Sequence, residues 1–112
     1  MSSGSWALPE ELRQLAECGD ESLVQEVLGV FRSDTTERLE KLRAAIAQDN
    51  RPQVRSEAHS MKGAAGQVGA HSLAAICLLL EQQSMTAARA ALSELADRLE
   101  VAFMDVSRLM FS

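Results

Sequence analysis

The chain has 112 residues, room for one domain with one core but not for a nucleotide-binding domain beside it. Its net charge of -5 argues against nucleic acid as the main partner, because binding a phosphate backbone requires clustered Lys and Arg; a protein partner is expected instead. Cys18 and Cys77 stand far apart with no CxxC and no His at ligand spacing, so no bound metal and two reduced thiols are expected.

Ala and Leu are abundant, Tyr is absent and β-branched residues are sparse, which favours an all-α chain. Residues 1–5 are small and polar and read as a flexible N-terminus or an expression remnant, leaving 6–112 as the domain. Pro9 followed by Glu10 and Glu11 is a helix start, since proline suits the first turn and acidic side chains favour the positive end of the dipole. A short helix from about Pro9 to Cys18 follows, with Leu8, Leu12 and Leu15 on one side. Gly19-Asp20 breaks the chain and Asp20 caps a long amphipathic helix, roughly 21 to 48. Its stripe is Val24, Val27, Leu28, Phe31, Thr35, Leu39, Leu42 and Ile46.

Asp49 to Pro52 supplies a stop and a restart, and Val54, Ala58, Met61, Ala65 and Val68 form a third stripe. After Gly69 a fourth helix carries Leu73, Ile76, Cys77 and Leu80, and its apolar run around Leu78 and Leu79 predicts the most buried helix of the set. Ser84 to Thr86 is a tight connection, and the last helix runs to about Met110 on Leu92, Leu95, Leu99, Phe103 and Val106. Four long helices with short connections predict an antiparallel up-down-up-down four-helix bundle, with the short N-terminal helix capping one end. One continuous core pattern predicts a monomer. The longest strongly apolar stretch, Ala74 to Leu80, is too short to cross a bilayer, and no charged leader precedes it, so a cytoplasmic protein without a membrane partner is expected.

The third helix carries the chemistry. Each residue advances a helix by about 100°, so with Val54 as the reference the core residues fall within about 40° of it and His59 lies about 140° away. The imidazole is therefore predicted to face out, beside Pro52, Arg55, Lys62, Gly63 and Gly66. A glycine inside a helix costs roughly 1 kcal/mol relative to alanine, so two within four residues need a reason. Gly63 lies one turn after His59, where any side chain would lean back over the ring, and its bareness leaves room for something as large as a phosphoryl group and for an approaching protein surface. Lys62 can set an ammonium beside that group. An exposed His next to a Lys is common on protein surfaces; the glycines off the core stripe are what raise this one above that background. His71 has no Lys-Gly after it and reads as a solvated surface residue.

The run Ala58-His59-Ser60-Met61-Lys62-Gly63-Ala64-Ala65-Gly66-Gln67-Val68-Gly69, followed by Leu73 and then Leu80-Glu81, resembles the signature of histidine-containing phosphotransfer (HPt) domains. The likeness extends over about residues 8 to 110 and is nearest to HPt domains at the C-terminal ends of bacterial hybrid sensor kinases. The connection after Gln83 is shorter than usual for them. The resemblance implies a phosphorelay intermediate of two-component signalling. His59 takes a phosphoryl group from the aspartyl phosphate of a receiver domain and passes it to an aspartate of a response regulator. It implies a phosphocarrier and not an enzyme with an ATP site. The aspartate and a divalent metal belong to the receiver, so no cofactor of the chain's own is expected. It also implies that Glu81, with Gln82 adjacent, occupies the position from which the next helix orients the imidazole. Receiver contacts are expected from Arg55, Ser56, Lys62, Gly63 and Gly66, with Leu12 and Leu15 from the first helix sharing the tasks of sealing the bundle and touching the partner.

Two other readings compete. A histidine kinase dimerisation domain would require a following ATP domain and an acidic neighbour of the His, where Ser60 stands here. A helical adaptor that binds signalling proteins without being phosphorylated would need only the surface.

Overall fold

The computed structural model describes Trp6 to Phe111; the 1–5 segment called a flexible end lies outside the described residues, as does Ser112. Five helices follow one another, α1 (Glu10–Glu17), α2 (Glu21–Ala47), α3 (Arg51–Gln67), α4 (His71–Gln83) and α5 (Arg89–Met110), and no strand occurs among the described residues. Helix α2 packs on α3, α3 on α4, α4 on α5 and α5 back on α2, while α1 lies on α2.

The first three helices end in the same way, because a chain leaving a helix must satisfy its last carbonyls or lose their hydrogen bonds. After α3 the N–H of Ala70 donates to the Ala65 carbonyl at 2.8 Å and that of Gly69 to Gly66 at 3.2 Å, with Gly69 at φ +75°. This is the paired closing pattern that calls for a left-handed residue just past the helix. Gly19 fills that position after α1 and Asp49, at φ 56°, after α2. Starts are less uniform. Asn50 caps α3 by accepting from the Gln53 N–H, whereas Asp20 stands at the N-cap of α2 but makes no side-chain cap bond, contrary to the role expected for it.

The core draws on all four long helices. The whole α3 stripe is buried, and so is every residue of the α5 stripe. Phe31 of α2 meets Phe103 of α5 edge to face at 6.2 Å between ring centres. Charged links tie neighbours at the rim: Arg38 to Glu57 at 3.1 Å joins α2 to α3, and Arg43 joins α2 to α5 through Asp97 at 2.9 Å and Glu100 at 2.6 Å. Arg51 of α3 donates to the carbonyls of Ser84 and Ala87, closing the turn before α5.

Two sequence expectations are corrected here. Helix α4 is not the most buried: Leu73, Cys77 and Leu80 are covered, but Leu78 is 40 % exposed, and Leu79 and Ile76 are only half-buried. A helix that is apolar nearly all round still has only the sides its neighbours cover, and α4 touches α3 and α5 alone. Val27 of the α2 stripe is likewise exposed, together with Leu23 and Val30. Burial also separates the thiols: Cys18 is exposed, while desolvation pushes the Cys77 thiol up to about 12.

The N-terminal segment is anchored at the junction of α3 and α4. The Trp6 indole N–H donates to the Val68 carbonyl at 2.8 Å. A Cβ on Gly69 would stand 3.1 Å from Pro9 Cγ and 3.2 Å from the Ala7 carbonyl. Gly69→Ala combines that clash with a left-handed backbone that L residues resist, so it is expected to destabilise the chain by about 2 to 3 kcal/mol. Urea denaturation checks this; an unchanged midpoint would mean the segment is not held there.

Candidate functional site

His59 sits at mid-length on α3, whose apolar stripe is anchored in the core, so the ring is turned out: its side chain is 67 % exposed. It is not left to rotate freely. Glu81 reaches across from α4 and places Oε2 at 2.8 Å from His59 Nδ1. A carboxylate only accepts hydrogen bonds, so the neutral ring carries its proton on Nδ1 and its lone pair on Nε2. The other carboxylate oxygen, Oε1, accepts from Lys62 Nζ at 2.6 Å. One carboxylate thus fixes the tautomer of the imidazole and neutralises the nearest cation.

Glu81 can do this because Leu80 is buried and Leu73 and Cys77 lie on the same side of α4, which directs the next residue along the α3–α4 seam. Its side chain is 22 % exposed, that of Lys62 33 %. The hydrogen bonds from Lys62 first, and from His59 second, hold the Glu81 carboxyl below its ordinary value of 4.5. A carboxyl whose folded value lies below its unfolded one stabilises the fold at pH above the unfolded value. That contribution is lost as the pH falls through the folded value. Glu81→Gln should therefore be less stable than the wild type at neutral pH, with the gap closing in acid well below 4.5. Urea midpoints of both proteins across that range measure it; a gap independent of pH would mean that the carboxylate charge plays no part.

The surroundings of the ring form an open cavity of about 700 Å³ lined by Pro52, Arg55, Ser56, His59, Ser60 and Lys62 from α3 and by Leu78, Glu81 and Gln82 from α4. Among the described residues no group of three or more His, Cys, Asp or Glu is placed to hold a metal ion. A Cβ on Gly63 or Gly66 would meet nothing within 4 Å, so these glycines are not packing glycines; they leave the outer surface of α3 bare.

Of the residues singled out in the sequence, His59, Lys62, Glu81, Arg55 and Ser56 therefore come together around one cavity. Gly63 and Gly66 lie on the open surface beside it. Leu12 and Leu15 do not join them: both are half-buried against the core, so the structure does not divide them into one sealing and one contacting residue. Leu78 and Ser60 line the cavity and were missed as site residues. No periodicity argument could have found Leu78, because its apolar side chain assigns it to the core.

A helical domain that presents an exposed, carboxylate-held imidazole over a cleared surface has the layout of the histidine phosphotransfer class. A family model described as the Hpt domain matches residues 26–103, and the chain belongs to that family. Its role accordingly lies in phosphotransfer within two-component signalling, where Hpt domains work with receiver domains of kinases and response regulators. The structure is similar to the crystal structure of histidine-containing phosphotransfer protein B (HptB) from Pseudomonas aeruginosa PAO1. The TM-score is 0.79 at 28 % identity, covering 92 % of this chain and 90 % of that one. No curated protein sequence matches the chain. Among the described residues no helix is long and apolar enough to cross a membrane.

Proposed function

We propose that His59 is the residue that carries the phosphoryl group, accepting it from the aspartyl phosphate of one receiver domain and delivering it to the aspartate of a response regulator. The observation that supports this most directly is the 2.8 Å contact of Nδ1 with Glu81, which leaves Nε2 as an outward-facing lone pair. Nε2 attacks phosphorus, the N–P bond forms, the acyl phosphate P–O bond breaks and the receiver's carboxylate leaves. The proton on Nδ1 stays on the ring, donated in a hydrogen bond to Glu81, so no proton has to move in the attack. Delivery is the reverse of this on a second receiver. The divalent metal is supplied by the receiver and this chain brings no cofactor.

The same proposal covers the finer architecture and setting. The four long helices run up-down-up-down and antiparallel, as their short connections favour, with α1 as a cap. The domain begins near residue 6, in keeping with the Trp6 bond to Val68. It acts in the cytoplasm as a monomer. The receiver docks on the outer face of α3, using Arg55, Ser56, Lys62, Gly63 and Gly66 with apolar help from Leu12 or Leu15, over an interface of about 1,200 Å² or less.

Incubating the chain with a phosphorylated receiver and assaying for acid-labile, base-stable phosphate tests the reading. Phosphate of that stability on the chain supports the phosphocarrier; stable complex formation without any label would instead favour the non-phosphorylated adaptor.

A further inference from the structure

We propose that Arg55 is the cation that meets the phosphoryl group on His59, and that Lys62 serves first to hold Glu81 in place. This rests on the reading that His59 is phosphorylated.

The argument starts from the charges around the cavity. Lys62 is the cation that sequence spacing favours, yet its ammonium lies 2.6 Å from Glu81 Oε1, so its charge is already offset by a carboxylate. Arg13, Arg38, Arg43, Arg51 and Arg108 are bound to carboxylates as well. Arg55 is exposed, lines the same cavity as His59, and its side chain makes no hydrogen bond or ion pair among the described residues. Among the described residues it is thus the one positive charge lining the cavity that no carboxylate offsets. An incoming phosphoryl group brings about two negative charges, and Arg55 is where they are least opposed.

Geometry points the same way. Arg55 and His59 are one helical turn apart, where Cβ atoms are about 5 to 6 Å from each other. Helical side chains lean toward the N-terminus of their helix, so the imidazole leans over the turn that carries Arg55 and away from Gly63. Nδ1 is held toward α4 by Glu81, which turns Nε2 away from that carboxylate. A guanidinium offers a planar fork that matches two phosphoryl oxygens at once, which a single ammonium cannot do. Arg55 needs no partner to be broken before it engages.

A small donor separates this role from docking. Phosphoramidate transfers its phosphoryl group to an imidazole with ammonia as the leaving group, the P–N bond of the donor breaking as the new one forms, and needs no protein interface. With phosphoramidate as donor, Arg55→Ala is expected to form phosphohistidine about tenfold more slowly than the wild type, the size of effect of one charge-assisted hydrogen bond. Arg55→Lys should recover part of the rate, and Lys62→Ala should lose less than Arg55→Ala. Circular dichroism checks that each variant is folded. If Arg55→Ala matches the wild type with phosphoramidate and differs only in the receiver concentration it requires, Arg55 is a docking residue and the proposal is overturned. Failure of the wild type itself to take up phosphate from either donor is a different result, and brings down the phosphocarrier reading together with this one.

Discussion

Replacing His59 by Gln is expected to abolish phosphate uptake completely while leaving the helical content and the unfolding midpoint nearly unchanged. The loss is total because the amide of Gln has no nucleophilic nitrogen and the other histidine, His71, does not line the cavity. The fold tolerates the change because the side chain is 67 % exposed and, among the described residues, is hydrogen-bonded to Glu81 alone. Removing the ring does not orphan that carboxylate, since Lys62 still donates to Oε1 at 2.6 Å. Exposed substitutions of this kind shift stability by no more than about 0.5 kcal/mol. His71→Gln provides the control: His71 is exposed at the first turn of α4 and lines no part of the His59 cavity, so its replacement should leave uptake at the wild-type level. Labelling by a phosphorylated receiver, read alongside thermal unfolding, settles both arms. Residual label on His59→Gln, or loss of label on His71→Gln, would remove His59 from its assigned role.

At Gly63 stability and activity should move in opposite directions. The backbone there is regular helix and a Cβ would meet nothing within 4 Å, so Gly63→Ala should stabilise the chain by about 0.4 to 1 kcal/mol. Gly63→Gln should also be at least as stable as the wild type, because Gln is a far better helix former than Gly. Its side chain, however, leans back one turn and covers the imidazole. A partner aspartate that must come within bonding distance of Nε2 is then kept out, and a misplacement of about 1 Å costs a reaction up to a hundredfold, so transfer from a receiver should slow by about ten- to a hundredfold. Stopped-flow transfer rates beside urea denaturation test the pair. Wild-type transfer by Gly63→Gln would show that the bare surface is not what lets the receiver in.

How far the sequence reaches is clearest on α3. Its stripe of Val54, Ala58, Met61, Ala65 and Val68 is buried in full, and the angular count that put these residues inside put His59 outside. A 3.6-residue repeat fixes relative directions within one helix, so anything that depends only on neighbours along α3 could be read before folding: the outward ring, the cation after it, the bare turn beyond. The helix ends were legible for a similar reason, since Gly19 and Gly69 mark left-handed positions that few other residues occupy.

The relation of α3 to α4 was not legible. That Glu81 spends one oxygen on His59 and the other on Lys62 depends on the separation and rotation of two helices, which no repeat within either helix encodes. The resemblance to the family indicated the position of Glu81, but not that it would take Lys62 as well and leave Arg55 as the uncompensated charge. Leu78 shows the same divide from the apolar side. Along the chain it belongs to the most hydrophobic segment, and only the placement of α3 and α5 decides that its side of α4 stays uncovered and forms a wall of the His59 cavity. Hydrophobicity sets how much surface a helix would bury; its neighbours decide which surface that is, and contacts between helices are where the chemistry of this site was completed.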